Sequence, residues 1–424
     1  MQQSTVAVIG AAGHVGLGLT LTIADAGHFV YGIDVNQSAI DKISSGQVPF
    51  VEDGAEAVLR RVLEYSRLSM TADLSVVSRC DVIIIILGTP IDENLNPVVA
   101  PLLQLFEQIA VHLCKGQLLI LRSTVSPGCT DIIRETLEKS TGMQAGTDFH
   151  VVFAPERVVQ GRSLIETKTL PQLIGAYDSP SYERAAAFFK TFVTGKCLRL
   201  SPVEAELAKL MCNMARYVSF ALANEFFLIA DEYDANIHNI LDAASYEYPR
   251  FKVPSPGANV SGPCLFKDGF FLVEHFPFPD LISTSFKINE NMPVQILKKI
   301  RSCRSIRKVG ILGMSFKSGI DDTRYSLSFK LKKLLLANGY EIVCADPHVP
   351  RFADFGSAIA GCDCLVLMTP HSEFANLSDL LRQVSNEECL LIDIWGFWPE
   401  MRGTSRNGMA TAAELMQTSS EPAY

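Results

Sequence analysis

Residues 6–36, VAVIGAAGHVGLGLTLTIADAGHFVYGIDVN, constrain the fold more than any other stretch. An apolar β-branched run leads into a glycine-rich turn, then a helical pattern, then a second apolar run that ends on Asp34. Gly10, Gly13 and Gly16 stand where a backbone must turn sharply and approach a pyrophosphate at a helix N-terminus. Asp34 is placed to accept hydrogen bonds from the ribose hydroxyls of NAD and to repel the extra phosphate of NADP. The spacing is G-x-x-G-x-x-G, so this turn holds one residue more than the usual fingerprint.

The rhythm set by this unit continues to about residue 200. The runs 5–10, 29–34, 81–88, 117–124 and 149–155 are short and β-branched, and amphipathic stretches such as 54–66 and 101–114 lie between them. Such alternation predicts a parallel sheet with helices on both faces, an NAD-binding domain over 1–200. Near Ser201 it gives way to one long helical pattern, SPVEAELAKLMCNMARYVSFALANEFFLIADEY, with Ser201 as N-cap and Pro202 at the first helical position. Its apolar residues nearly encircle the middle, so it must be buried on several sides, one of which a partner chain could supply. Lys209, Asn213, Arg216, Asn224 and Glu225 interrupt it and argue against a membrane span. From 306 a second, smaller α/β unit begins, with a helix over 326–338. This divides the chain into 1–200, a helical middle over 201–300, an α/β domain over 301–400 and a loosely held polar tail over 401–424.

A length of 424 residues supports two or three domains with real cores. The net charge of −9 argues against nucleic acid or anionic membranes as general partners, though not against a local basic pocket. The first residues lack the pattern of a signal peptide, and the eleven cysteines show neither disulfide-like nor zinc-like spacing. Cytoplasmic free thiols and no metal are the expectation. The C-x-C of Cys362 and Cys364 reads as strand packing.

One cysteine is set differently. In SGPCLFKDG, residues 261–269, Cys264 follows a Gly-Pro bend, with Lys267 and Asp268 just behind it. In EAELAKLMCN, Glu206, Lys209 and Asn213 fall three and four apart, on one face of a helix. Lys209 and Asn213 read either as a snorkelling lysine with a satisfied amide, or as paired donors aimed at a developing oxyanion. Glu156, in FAPERVVQG, follows a strand end on the ligand side of an open parallel sheet.

From the first turn to about residue 400 the chain resembles the UDP-glucose/GDP-mannose dehydrogenase family. The matching pieces are GHVG, GTP at 88–90, RSTVSPG at 122–128, PERVVQG at 155–161 and EAELAKLMCN at 204–213, then GPCLFKD at 262–268, GILGMSFKSGIDDTRYS at 310–326 and ADPHV at 345–349. The resemblance implies an α/β chain with an N-terminal Rossmann-type domain, a long central helix that forms a homodimer, and a smaller Rossmann-like UDP-binding domain. It implies a four-electron oxidation of the sugar C6 hydroxyl of a nucleotide sugar, using two NAD+. In that chemistry Cys264 resembles the nucleophile that traps an aldehyde, with Lys209 and Lys267 as cations able to favour its thiolate if close. Lys209 and Asn213 resemble the oxyanion-stabilising pair, Asp268 the carboxylate that holds the lysine and a water, and Glu156 and Thr124 the groups that handle water and proton transfer. Thr89 and Thr124 resemble cofactor contacts, and Arg324 a contact to the cofactor phosphates. Gln160, Phe316 and Lys317 resemble residues facing the substrate, and Arg250 an arginine given to the neighbouring subunit's sugar site. The chain departs from the family pattern at its first turn, at Gln160 in place of a frequent glutamate, and at SGPC in place of GGSC or GGHC. Two other readings stay open at this point: a two-electron hydroxyacid dehydrogenase of the 6-phosphogluconate type, and a catalytically silent sugar-nucleotide-binding protein.

Overall fold

The computed structural model describes residues 3–303, 305–354, 356, 359–403 and 407–418. Two compact units account for it, one formed by Met1–Cys212 with Lys267–Pro277, the other by Asn213–Phe266 with Phe278–Tyr424.

The first unit is built on an eight-stranded sheet. Its strands are β1 (Thr5–Ile9), β2 (Phe29–Ile33), β3 (Leu68–Thr71), β4 (Val82–Ile85), β5 (Leu118–Leu121), β6 (His150–Phe153), β7 (Gln172–Ala176) and β8 (Cys197–Leu200), in the order β3-β2-β1-β4-β5-β6-β7-β8. Alternate residues of the central strands point to opposite faces, and both faces are apolar. Val6, Val8, Ile84, Ile120 and Val152 join one core. Ala7, Ile9, Ile83, Ile85, Leu119, Leu121 and Phe153 join the other. Burial on both faces is why these strands read as continuous apolar runs. One correction to the expected parallel sheet is needed: β7 pairs antiparallel to β6. Strand order reverses beside β1, which pairs with β2 on one side and β4 on the other. A crevice at the carboxyl ends of such strands is where open α/β sheets take their ligands.

The second unit carries a five-stranded sheet of β9 (Lys308–Leu312), β10 (Glu341–Ala345), β11 (Cys364–Leu367), β12 (Leu390–Ile392) and β13 (Met409–Thr411), in the order β10-β9-β11-β12-β13. All its pairs are parallel except β12 with β13. That last strand corrects the expectation of a loose tail beyond 401. Met409, Ala410, Ala412 and Leu415 are buried, and this apolar side chain set holds the strand and the helix Ala412–Thr418 against the sheet. Residues 404–406 and 419–424 of the expected tail lie outside the described residues.

The long helix spans Pro202–Glu232, 31 residues. Ser201 and Glu204 form a reciprocal cap at its start: Ser201 N–H and Oγ–H donate to Glu204 Oε2 at 2.8 and 2.7 Å, and Glu204 N–H donates back to Ser201 Oγ at 3.4 Å. The helical middle is not a separate compact body here, because this helix contributes to both units. Ala205 belongs to a core of the first sheet, whereas Phe227 and Ala230 belong to a core of the second unit with Met292, Ile296 and Ile300 of the helix Asp280–Ser302. Among the described residues, no helix is long and apolar enough to cross a membrane.

Candidate active site

In the first unit the glycine turn follows β1. The N–H groups of Gly10 and Ala11 donate to Ile33 O at 2.8 and 3.2 Å, which fixes the turn against β2. The helix His14–Asp25 starts at Gly13, and no side chain caps it. A helix end without a side-chain cap is where an anion can accept from the first N–H groups. A Cβ on Gly16 would fall 2.0 Å from Gly10 O, so only glycine lets the helix begin this close to the turn. Asp34 faces the same turn, with Oδ2 accepting from Ala12 N–H at 2.9 Å and Oδ1 from Asn36 N–H at 3.0 Å. An uncapped helix end beside a fixed acid fits a dinucleotide, the pyrophosphate at the N–H groups and the ribose at the carboxylate. Thr89, buried beyond β4, donates from Oγ1 to Thr124 O at 2.7 Å. The Lys267 ammonium donates to Thr89 O and lies 5.6 Å from the centre of the Phe271 ring. That bond commits Lys267 to the loop after β4.

The long helix brings Lys209 to Asp268 in this unit. Nζ lies 3.0 Å from Oδ2, with the lysine side chain 8% exposed and the carboxylate fully buried. Glu206, one turn earlier, turns elsewhere. Its carboxylate accepts from Gly128 N–H at 2.7 Å, and from Thr130 N–H and Oγ–H at 2.8 and 2.5 Å, and so caps the helix Cys129–Thr141. Burial pushes the Glu206 carboxyl up, and these hydrogen bonds oppose the shift. Glu156 follows β6 and is clamped by Arg122, whose Nη2 lies 2.5 Å from Oε2. Its other oxygen accepts from Arg157 N–H at 2.9 Å. Thr124 is half-buried just beyond β5, and Gln160 is half-buried in the loop after Glu156.

The second unit holds the remaining candidates. Cys264 is exposed, in a turn that follows Gly262. Gly262 has φ +113°, and a Cβ there would fall 2.6 Å from Cδ2 of Phe316, so the loop lies directly on that ring. Lys317 is half-buried beside it. Arg324 grips Asp322, with Nη2 2.6 Å from Oδ2 and Nε 3.0 Å from Oδ1. The Asp322 hydrogen bond and charge push the Arg324 guanidinium up, and the Cys264 sulfur adds to that push. A guanidinium within electrostatic reach of a thiol favours the thiolate. Asn213 is half-buried on the long helix. Arg250 is exposed, its guanidinium 4.7 Å from the centre of the Tyr248 ring and its Nε donating to Tyr248 OH at 3.1 Å.

All eleven cysteines are free thiols. Burial pushes Cys80, Cys129 and Cys389 up to about 12 and Cys362 up to about 11, which makes them inert at neutral pH. Cys364 is buried in β11 and pushed up in the same way. Among the described residues, one group of side chains has metal-ligand spacing: His348, His371 and Glu373, with ligand atoms within 4.8 Å of one another. Gly319 N–H donates to Nδ1 of His371 at 3.2 Å, which leaves the ring hydrogen on Nε2, where Asp346 Oδ2 lies 3.2 Å away. Both ring nitrogens of His371 are thereby engaged.

Sequence reasoning passed over three residues that shape these sites. Arg122 is a fully buried cation that orients Glu156 from 34 positions away. Glu52 accepts from Gly161 N–H at 2.9 Å and Ser163 N–H at 2.6 Å, which fixes the loop that carries Gln160. Asn259, five residues before the cysteine, is buried with both ends of its amide engaged. A buried arginine quoted within RSTVSPG was the available signal for the first; the others show no spacing that marks them.

Comparisons with known proteins agree over most of the chain. The NAD binding domain of the UDP-glucose/GDP-mannose dehydrogenase family matches residues 4–193, its central domain residues 203–291 and its UDP binding domain residues 310–400. A UDP-N-acetyl-D-mannosamine dehydrogenase of Pyrococcus horikoshii is 32% identical over 382 residues, covering 88% of this chain and 91% of that protein. An NDP-N-acetyl-D-galactosaminuronic acid dehydrogenase of Ralstonia nicotianae is 28% identical, covering 94% and 97%. The solved structure of the UDP-D-ManNAc dehydrogenase of Pyrococcus horikoshii superposes with a TM-score of 0.82 at 31% identity, over 90% of this chain and 92% of that one. With the open helix end and Asp34 at the first turn, these matches place the chain in the UDP-glucose/GDP-mannose dehydrogenase family, the NAD-dependent dehydrogenases of nucleotide sugars.

Proposed function

We propose that the protein oxidises the C6 hydroxyl of a UDP-linked sugar to the carboxylate, with Cys264 capturing the intermediate aldehyde. The observation that carries this reading is the buried Lys209–Asp268 pair, whose carboxylate stands four residues after an exposed thiol on a Gly-Pro bend. A buried lysine at the cost of its hydration is expected where an oxygen develops charge. When bound, NAD+ supplies the hydride acceptor, two equivalents for each sugar.

The chain's own residues have separate tasks. The Lys209 ammonium, oriented by Asp268, and the Asn213 amide hold the C6 oxygen as its charge changes. The Cys264 thiolate adds to the aldehyde carbon, a C–S bond forms, and the oxygen takes a proton to give a thiohemiacetal. Loss of a hydride from that carbon and of the hydroxyl proton leaves a thioester. Water then adds, the C–S bond breaks, the sulfur leaves as thiolate and the product is a carboxylate. One alcohol, one water and two NAD+ thus become one carboxylate, two NADH and three protons. Glu156, held by Arg122, and Thr124 order the water. Gln160, Phe316 and Lys317 face the nucleotide sugar, and Arg324 faces the cofactor phosphates or the thiolate.

Homodimerisation through the long helix belongs to this reading. Ala215, Leu222 and Ile229 are exposed at intervals of seven, with exposed Met211 and Tyr233 four positions beyond either end. An apolar line at that spacing suits a second helix of the same kind, and it would bring Arg250 to a neighbouring subunit's sugar. The relatives named for N-acetylmannosamine make UDP-N-acetyl-D-mannosamine the first sugar to test. NADH absorbance with a panel of UDP- and GDP-sugars should show two NADH per sugar consumed for one of them. One NADH per turnover would favour the hydroxyacid dehydrogenase reading instead.

A further inference from the structure

The loop that carries Cys264 is tied down by an amide. At its start Gly257 N–H donates to Asn224 Oδ1 at 2.8 Å. Two residues on, Asn259 is 3% exposed. Its Oδ1 accepts from Leu327 N–H at 2.9 Å and from Ser261 Oγ–H at 2.5 Å. Its Nδ2 faces Ser315 O at 3.1 Å, Ser326 Oγ at 3.0 Å and Thr369 Oγ1 at 3.0 Å. Leu327 N–H can only donate and Ser315 O can only accept, so the amide has one orientation. Both lone pairs and both hydrogens are in use.

The partners are spread over three segments of the small α/β domain. Ser315 lies in the turn after β9, Ser326 and Leu327 start the helix Leu327–Ala337, and Thr369 follows β11. These are the carboxyl ends of adjacent parallel strands and a helix N-terminus, the ligand side of an open sheet. From Asn259 the chain runs through Ser261 to Gly262, which rests on Phe316, and then to Cys264.

We propose that Asn259 is a positioning residue, setting the Cys264 loop in register with the ligand edge of the C-terminal sheet so that the sulfur meets the aldehyde before it escapes. The inference rests on the function proposed above. It acts through the loop and touches no reacting atom itself. Loss of the amide frees the loop from three segments at once, and a displacement of about 1 Å at a reacting atom costs about 100-fold in rate.

The test compares the wild-type chain with Asn259→Ala and Ser261→Ala, using a sugar nucleotide the wild type oxidises and NAD+. The kcat of Asn259→Ala should fall at least about tenfold, with KM for NAD+ within about twofold, since loop displacement acts on the chemical step. NADH per sugar consumed should drop from two towards one as aldehyde is released. Ser261→Ala, which removes one hydroxyl and keeps the amide, should shift in the same direction by about threefold, and decides the matter if Asn259→Ala does not fold. A folded variant that keeps the wild-type kcat and two NADH, or one that loses only thermal stability, overturns the inference alone. A wild-type chain that yields one NADH per sugar overturns the functional reading, and this inference with it.

Discussion

Lys209 and Asp268 form a buried ion pair, Nζ to Oδ2 at 3.0 Å, that joins the long helix to the first residue of the helix Asp268–Val273. Removing one partner of such a pair leaves an uncompensated charge in the interior. Asp268→Asn should therefore lower unfolding stability by about 3–5 kcal/mol, measured from urea midpoints. Lys209→Met keeps the stem and deletes the ammonium. Its kcat should fall by about 100- to 1000-fold, the range for loss of one oxyanion donor. Unchanged kcat in a folded Lys209→Met would assign the pair to structure alone.

Arg324 offers two separable roles. If its charge favours the Cys264 thiolate, Arg324→Gln should slow alkylation of that thiol by iodoacetamide at pH 7, followed by peptide mass. If it faces the cofactor phosphates, KM for NAD+ should rise instead. The guanidinium is chelated by Asp322, and Cys264 is among the groups that push it up, so the first effect is expected.

Acid stability should depend on Asp346. Burial alone would push its carboxyl up, but the His371 hydrogen bond and the N–H groups of Ser315 and Met314 prevail, and hold it down at about 2. The unfolded carboxyl titrates near its ordinary value of 3.8. A group lowered on folding stabilises the fold above its unfolded value, and that stability is lost as pH falls from about 4 to about 2. The contribution is on the order of 2 kcal/mol. Asp346→Asn should show a flatter loss of stability over this window than the wild type, by denaturant unfolding at a series of pH values.

The apolar line on the long helix gives a test of assembly. Ile229 is half exposed; if the proposed dimer forms through this line, the wild type should sediment as a dimer and Ile229→Asp as a folded monomer. If Arg250 serves the neighbouring subunit, Arg250→Ala and Cys264→Ala chains should each be impaired alone. Co-expressed, they should regain activity, because mixed dimers contain one site with both residues intact. Absence of recovery in verified mixed dimers would keep Arg250 out of the neighbour's site.

The sequence disclosed the central strands and concealed the margins, for one physical reason. Val82–Ile85 is buried on both faces and reads as an apolar run, whereas Leu68–Thr71 and Cys197–Leu200 are sheet-edge strands with half-exposed or exposed residues and no such run. The glycine turn and Asp34 were legible because the contacts that define them lie within about 30 residues in a known order. Arg122 and Asn259 were not, since their partners arrive from distant segments and neither residue type announces its burial. The shared face of Glu206, Lys209 and Asn213 was legible, but not its division of labour. Glu206 serves a helix cap while Lys209 meets Asp268. Spacing fixes where a side chain starts and leaves open where its tip ends.

The measurement closest to the heart of the account is uronate formation by Cys264→Ala, assayed by mass spectrometry of the product together with NADH yield. This variant should form no uronate at an appreciable rate, and acid-quenched wild-type turnover should yield the peptide bearing Cys264 with the sugar attached through sulfur. Wild-type rates of uronate production from the alanine variant would contradict it.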